Sequence, residues 1–239
     1  MQRILVPSAG ATCWRRFLAD PDNQWKRGAS ALELAVSWES AQKSERGIPP
    51  AVAAVLDQNP VLAGTRLLVA LPEHRVALKG RGKASQTDVW TLLRASDEYV
   101  SMAVEGKAGE LFASTLGEWL IDASRGKRDR LEHLCNILQV TTSPGSELRY
   151  QLFHRTASAI LEAQRFGAKI AVMLVQAFST ESSASGQSWQ DFTAYCALLG
   201  ATAARGKLME APRASGTERL FLGWVDCPTA SDSEIAMVV

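Results

Sequence analysis

The chain has 239 residues, of which 46% are hydrophobic and 21% charged, with a formal net charge of +1. This length and balance fit one globular domain around a substantial core. They exclude a global basic field, so any contact with nucleic acid has to rest on local patches.

"RILV" near the start reads as a short strand, and "CWRRFLAD" as a turn or two of helix ended by "PDN". "GASALELAVSWESAQKSE", residues 28–45, is rich in helix formers, with Leu32, Ala35, Val36 and Ala41 near one apolar stripe. Ser30 with Glu33 three residues on suggests the N-cap. "PPAVAAVLDQN" predicts a second helix, its prolines placed where a helix can start.

Beta signals begin at "TRLLVALPEHRVALKG", where two apolar runs flank "PEHR" in the pattern of a hairpin. "KGRGKASQT" reads as a loop, and "DVWTLLRA", "SDE" and "YVSMAVEGK" as strand, tight turn and strand. The middle of the chain is therefore expected to be a meander of about four antiparallel strands.

Helical periods return in "GELFASTLGEWLIDASR", in "RDRLEHLCNILQV", and in "ELRYQLFHRTASAILEAQRFG", which Gly167 should end. The last is apolar on two sides and belongs at the centre of the packing. "KIAVMLVQAFS" suits a buried strand, "TESSASGQS" a surface loop, "WQDFTAYCALLG" a helix and "RLFLGWVDC" a final strand. The expected architecture is one α/β domain over residues 1–228, a mixed sheet flanked by helices, with a loosely held tail at 229–239.

The four cysteines show no CxxC spacing, and "MQRILVPSAG" has too short an apolar run for a secretory leader. No stretch approaches a membrane span in length. A cytoplasmic protein with reduced thiols and no membrane contact is expected.

In "VEGK", Glu105 and Lys107 project from one face of a strand together with Ala103 and Ser101. Asp88 begins the preceding strand, and the "SDE" turn brings that strand alongside, so the three should converge at one sheet edge. Two carboxylates meeting in a half-buried place repel, and a hard cation such as Mg²⁺ relieves them. A lysine beside them can stabilise charge developing on a phosphate. The simpler alternative is a solvated ion pair at a strand end. No Ser/His/Asp order, HExxH or phosphate-binding GxxxxGK[ST] competes for the site.

Asp88 followed by "VEGK" resembles the acidic-x-Lys signature of the PD-(D/E)XK nuclease superfamily. "SWESA", "VEGK" and "RYQLFHRTASAILEA" together resemble a family of uncharacterised bacterial proteins over nearly the whole chain. The superfamily resemblance implies a restriction-endonuclease-like core over about 28–228. It also implies Asp88 and Glu105 as ligands of Mg²⁺ or Mn²⁺, the Gly106 carbonyl as a third, and Lys107 as the catalytic lysine. An early-helix acid often joins such sites, and Glu39 in "SWESA" is the best match, with Glu33 behind it. Gln151 and Arg155, four apart on one helical face, are candidate supporting residues, although "YQLFHR" departs from the QxxxY order of the RecB-like branch.

Lys79, Arg81 and Lys83 in "KGRGK" lead into this region and are candidate phosphate contacts, as is Arg155; "RGKRDR" at 125–130 reads rather as a solvated loop. His154 reads as a packed histidine, and His74 and His133 form no ligand spacing. The expected function is metal-dependent cleavage of DNA or RNA, with a homodimer or two nicks needed for duplex cleavage. One alternative is a catalytically silent relative that binds or regulates, as in a bacterial defence system; another is an enzyme acting on a different phosphate-containing small molecule.

Overall fold

A computed structural model describes residues 10–80, 83–178, 184–212, 217 and 219–238. The strand expected at "RILV", Arg81 of the basic loop and the first part of "TESSASGQS" lie outside these residues.

Among the described residues six strands form one mixed sheet: β1 (Arg66–Val76), β2 (Ser85–Ala95), β3 (Glu98–Lys107), β4 (Ile170–Phe178), β5 (Lys207–Ala211) and β6 (Arg219–Cys227), in the order β1-β2-β3-β4-β6-β5. β1, β2 and β3 pair antiparallel, β4 lies parallel to β3 and to β6, and β5 closes the far edge antiparallel to β6. Between β3 and β4 the chain makes α4 (Leu116–Leu120), α5 (Arg125–Ile137) and α6 (Tyr150–Phe166). Such an excursion is what a parallel neighbour requires.

Each face of the sheet is covered, which is why β3 and β4 read as near-continuous apolar runs. On one face Val100, Met102 and Val104 of β3 pack with Leu34 and Trp38 of α2 (Ser30–Ala41) and Val52 and Leu56 of α3 (Pro50–Asp57). On the other, Ala103, Ala171 and Met173 pack with Leu152, Phe153 and Ile160 of α6 and Phe192 and Tyr195 of α7 (Ala184–Leu198). Gly167 ends α6 in the left-handed region at φ 66°, as its position predicts.

Several expectations change. "PEHR" is no turn, because β1 runs unbroken from Arg66 to Val76 and the reversal falls between Val76 and Ser85. The meander therefore has three strands. Pro72 is tolerated because β1 is an edge strand, where a missing N–H need not break a ladder. Ser30 is the first helical residue of α2 rather than its cap; Ala29 occupies that position, and Glu33 instead accepts from the Gly28 and Ala230 N–H groups. "GELFASTLGEWLIDASR" condenses to the five residues of α4, started by a Thr115/Glu118 capping box. α7 already begins at Ala184, and β5 had no periodic signature. In the tail, α8 (Asp232–Val238) lies against α2, with an Arg27–Asp232 ion pair.

Candidate functional site

β1 and β2 pair Pro72 with Val89 and His74 with Thr87, which sets Glu73 opposite Asp88. β2 and β3 pair Val89 with Val104, and one further step of that register sets Asp88 opposite Glu105. Three carboxyl side chains thus form a rank across three adjacent strands. They line one cleft of about 740 Å³, with Lys107, Gln151 and Arg155 also in its wall.

Glu105 is the most heavily bonded of the three. Its Oε1 accepts from Lys107 Nζ at 2.7 Å and from Gln151 Nε2 at 2.6 Å, and its Oε2 from Arg155 Nε at 2.5 Å. Arg155 also reaches Asp88 Oδ1 from Nη2 at 3.4 Å, while Asp88 Oδ2 accepts the Gly106 N–H at 2.9 Å. Gln151 ties the site to the β3–α4 connection, its Oε1 accepting from the Ala113 N–H at 3.0 Å and from Lys107 Nζ at 3.4 Å. Lys107 Nζ also lies 4.8 Å from the centre of the Phe112 ring.

This environment drives the carboxyl groups apart. Burial alone would raise Glu105, but the charges of Arg155 and Lys107 outweigh it and hold the group down at about 2. Asp88 is pushed up to about 7, first by burial and then by the negative charge of Glu105. Glu73 rises to about 8 through burial and the charge of Asp88, despite accepting from Gln86 Nε2 at 2.8 Å. The Asp88 side chain keeps 21% of its surface exposed, whereas Glu105 keeps 2%. Glu105 is thus a satisfied internal anion, and Asp88 is the more open carboxyl.

Asp88, Glu105, Lys107 and Gln151 are brought together as the sequence predicts. Gly106 is also in place, but its N–H rather than its carbonyl meets Asp88. A Cβ at Gly106 would lie 2.4 Å from Leu34 Cδ1, so glycine here lets α2 pack closely on β3. Glu39 is not in the cleft; it accepts from Trp14 Nε1 at 2.8 Å, because its position on α2 turns it towards the 3-10 helix at Ala11–Phe17. Arg155 is not an open phosphate contact either, since its side chain is 8% exposed and committed to two carboxylates. Lys79 is exposed outside the cleft wall, Lys83 lies on it, and Arg81 is outside the described residues.

Glu73 is the residue that sequence reasoning missed. Reading "PEHR" as a turn hid it, and only the strand register places it beside Asp88. Its own φ of 51° lies in the left-handed region, an uncommon setting for a non-glycine residue within a strand.

The chain belongs to the family described as a domain of unknown function, DUF6946, which matches residues 7–229. No curated protein and no solved structure matches it.

In this DUF6946 member no group of three or more His, Cys, Asp or Glu side chains suited to a metal ion occurs among the described residues. The cleft offers a smaller set, Asp88 faced by Glu73, both oxygen donors and both raised, Asp88 by burial and the charge of Glu105, Glu73 by burial and the charge of Asp88. Mg²⁺ is commonly held by one or two carboxylates while it keeps several waters, so this pair fits a hard cation in kind. Glu105 fits it less well, because both of its oxygens already accept from Arg155, Lys107 and Gln151. No helix among the described residues is long and apolar enough to cross a membrane.

Proposed function

We propose that this DUF6946 member is a Mg²⁺- or Mn²⁺-dependent phosphodiesterase with a restriction-endonuclease-like core, acting on nucleic acid, DNA ahead of RNA. The observation that carries the reading is the convergence of Asp88 from β2, Glu105 and Lys107 from β3, and Gln151 from α6 on one cleft. The parallel β3–β4 pair joined through α6 is consistent with that core.

Asp88, with Glu73 facing it, would hold the metal, which when bound supplies an activated water and neutralises phosphate charge. Lys107 is positioned by Glu105 and Gln151 and offers its ammonium to charge developing on the phosphate. Glu105 acts on this reading chiefly by orienting Lys107. Arg155 fixes Glu105 and Asp88 relative to each other. Cleavage of both strands of a duplex takes a homodimer or two successive nicks, in the cytoplasm.

One observation favours a second reading, a catalytically silent protein that binds or regulates. Arg155 already supplies a buried positive charge between Asp88 and Glu105. The deciding experiment incubates purified protein with single- and double-stranded DNA and RNA in Mg²⁺ or Mn²⁺, beside EDTA and Lys107→Ala controls. Cleavage abolished in both controls supports the phosphodiesterase. No cleavage, together with no metal-induced change in melting temperature, supports the silent relative.

A further inference from the structure

Beside the catalytic cleft lies a second cavity of about 280 Å³, and Lys83 and Ala84 line both. Among the described residues three cations, Lys83, Lys127 and Arg130, line it, and no Asp or Glu is in its wall. Its aromatic side is a stack in which Trp119 and Tyr150 lie 4.0 Å apart at 10°. Lys127 covers Trp119 at 5.5 Å and His154 leans on Tyr150 at 4.9 Å. With partners already set against both rings, the stack is better suited to shape the cavity than to receive a base.

Arg130 is 7% exposed, yet its guanidinium is bonded to main-chain carbonyls, donating to those of Lys79, Gly80 and Lys83. Among the described residues no carboxylate forms an ion pair with it. It holds the main chain at Lys79, Gly80 and Lys83, and Lys83 lines both cavities. Gathering three cations with no carboxylate in the wall costs repulsion that a bound anion would relieve. Burial, then the charge of Arg155, hold His154 well below the usual histidine range, so it adds no fourth positive charge. The partition between the cavities is itself a hydrogen-bonded unit, with Ser85 Oγ 2.8 Å from His154 Nδ1 and accepting from Arg155 Nη1 at 3.4 Å.

We propose that this cavity seats a phosphate of the nucleic-acid strand next to the one held in the cleft, with Lys83 and Lys127 as its contacts. Arg130 is a positioning residue for Lys83. The inference rests on the nucleic-acid reading of the cleft. The phosphate is either an internal phosphodiester or a terminal 5′-phosphate, since both present the same anionic oxygens.

The test uses the full chain in EDTA and measures binding of a short fluorescent single-stranded DNA, 5′-phosphorylated or 5′-hydroxyl, over a range of salt. Lys127→Ala should weaken binding about tenfold and make the log–log salt dependence shallower by about one, as loss of one phosphate contact does. Lys127→Arg should restore both; because Lys127 Nζ also donates to the Trp119 carbonyl at 2.8 Å, the salt slope and the arginine rescue, rather than the melting temperature of Lys127→Ala, are the deciding readouts. Weakening confined to the 5′-phosphorylated strand supports a terminal phosphate, and equal weakening of both strands supports an internal one. Unchanged binding in Lys127→Ala overturns the proposal, as does absence of binding by the unaltered protein. A loss shared by Lys127→Arg also overturns it. Lys127-dependent binding without cleavage in Mg²⁺ would sink the phosphodiesterase and leave the phosphate seat standing; cleavage with unaltered Lys127→Ala binding would do the reverse.

Discussion

Arg155 Nε lies 2.5 Å from Glu105 Oε2, and the two side chains are only 8% and 2% exposed. The guanidinium comes from the first turns of α6 and the carboxylate from β3, so the pair joins the crossover helix to the centre of the sheet. A buried pair of this kind adds little stability beyond an apolar substitute, but losing one member strands the other charge.

Arg155→Met should therefore lower unfolding free energy by about 3 kcal/mol, the low end for a broken buried pair, because Lys107 and Gln151 still hold Glu105. Arg155→Lys should recover little, since a single ammonium cannot reproduce the guanidinium fork that spans Glu105 and Asp88. Urea unfolding of both variants measures this, and equal stability of Arg155→Met and the unaltered chain would refute it.

The raised carboxyl groups make stability fall with rising pH. Asp88 moves from 3.8 to about 7 and Glu73 from 4.5 to about 8, so between pH 4 and pH 8 the unfolded chain has released protons that the folded chain keeps. Their contribution is fully present near pH 4 and lost as pH rises through 7 and 8. Glu105 runs the other way, its contribution being lost as pH falls from 4.5 towards 2. Burial of His154, which stays uncharged in the fold, works the other way below the usual histidine range, so urea unfolding across pH 6.5 to 8.5 should show the decline, and Asp88→Asn should flatten its part near neutrality. A stability that rises over that range would contradict the assignment.

Gly106→Ala tests the contact that holds α2 to the site. The new methyl would meet Leu34 Cδ1 at 2.4 Å and Cγ at 2.9 Å, and overpacking of this kind costs about 1–3 kcal/mol. Leu34→Ala should offset part of that cost in the double variant, giving a coupling that thermal or urea unfolding reads directly. Simple additivity of the two changes would place the strain elsewhere.

If Asp88 and Glu73 hold a divalent cation, Mg²⁺ or Mn²⁺ should raise the melting temperature of the unaltered chain. Saturation a hundredfold above the dissociation constant corresponds to about 2.7 kcal/mol. For a chain of this size each kcal/mol shifts the melting temperature by about 2–4 °C. Asp88→Asn and Glu73→Gln should each reduce the shift, whereas Glu39→Gln should leave it unchanged, since Glu39 is not in the cleft wall and is held from behind by the Trp14 indole N–H. An equal shift in all three variants would move the cation away from this rank.

The alternation in "VEGK" and the helical spacing from Gln151 to Arg155 were enough to place Glu105, Lys107, Gln151 and Arg155 on the correct faces, because strand and helix periods are local properties of the chain. The same local logic marked β3, β4, β6 and α6, whose apolar runs are long. It could not identify Glu73, which sits after a proline in a segment that reads as a turn and becomes part of a strand only by pairing with β2. Nor could it show that Arg155 faces inward to two carboxylates rather than outward to a phosphate, or that Glu39 turns towards Trp14. Those outcomes depend on which side chains from distant segments compete for the same buried charge, and that competition exists only once the sheet has assembled and α6 has packed on it.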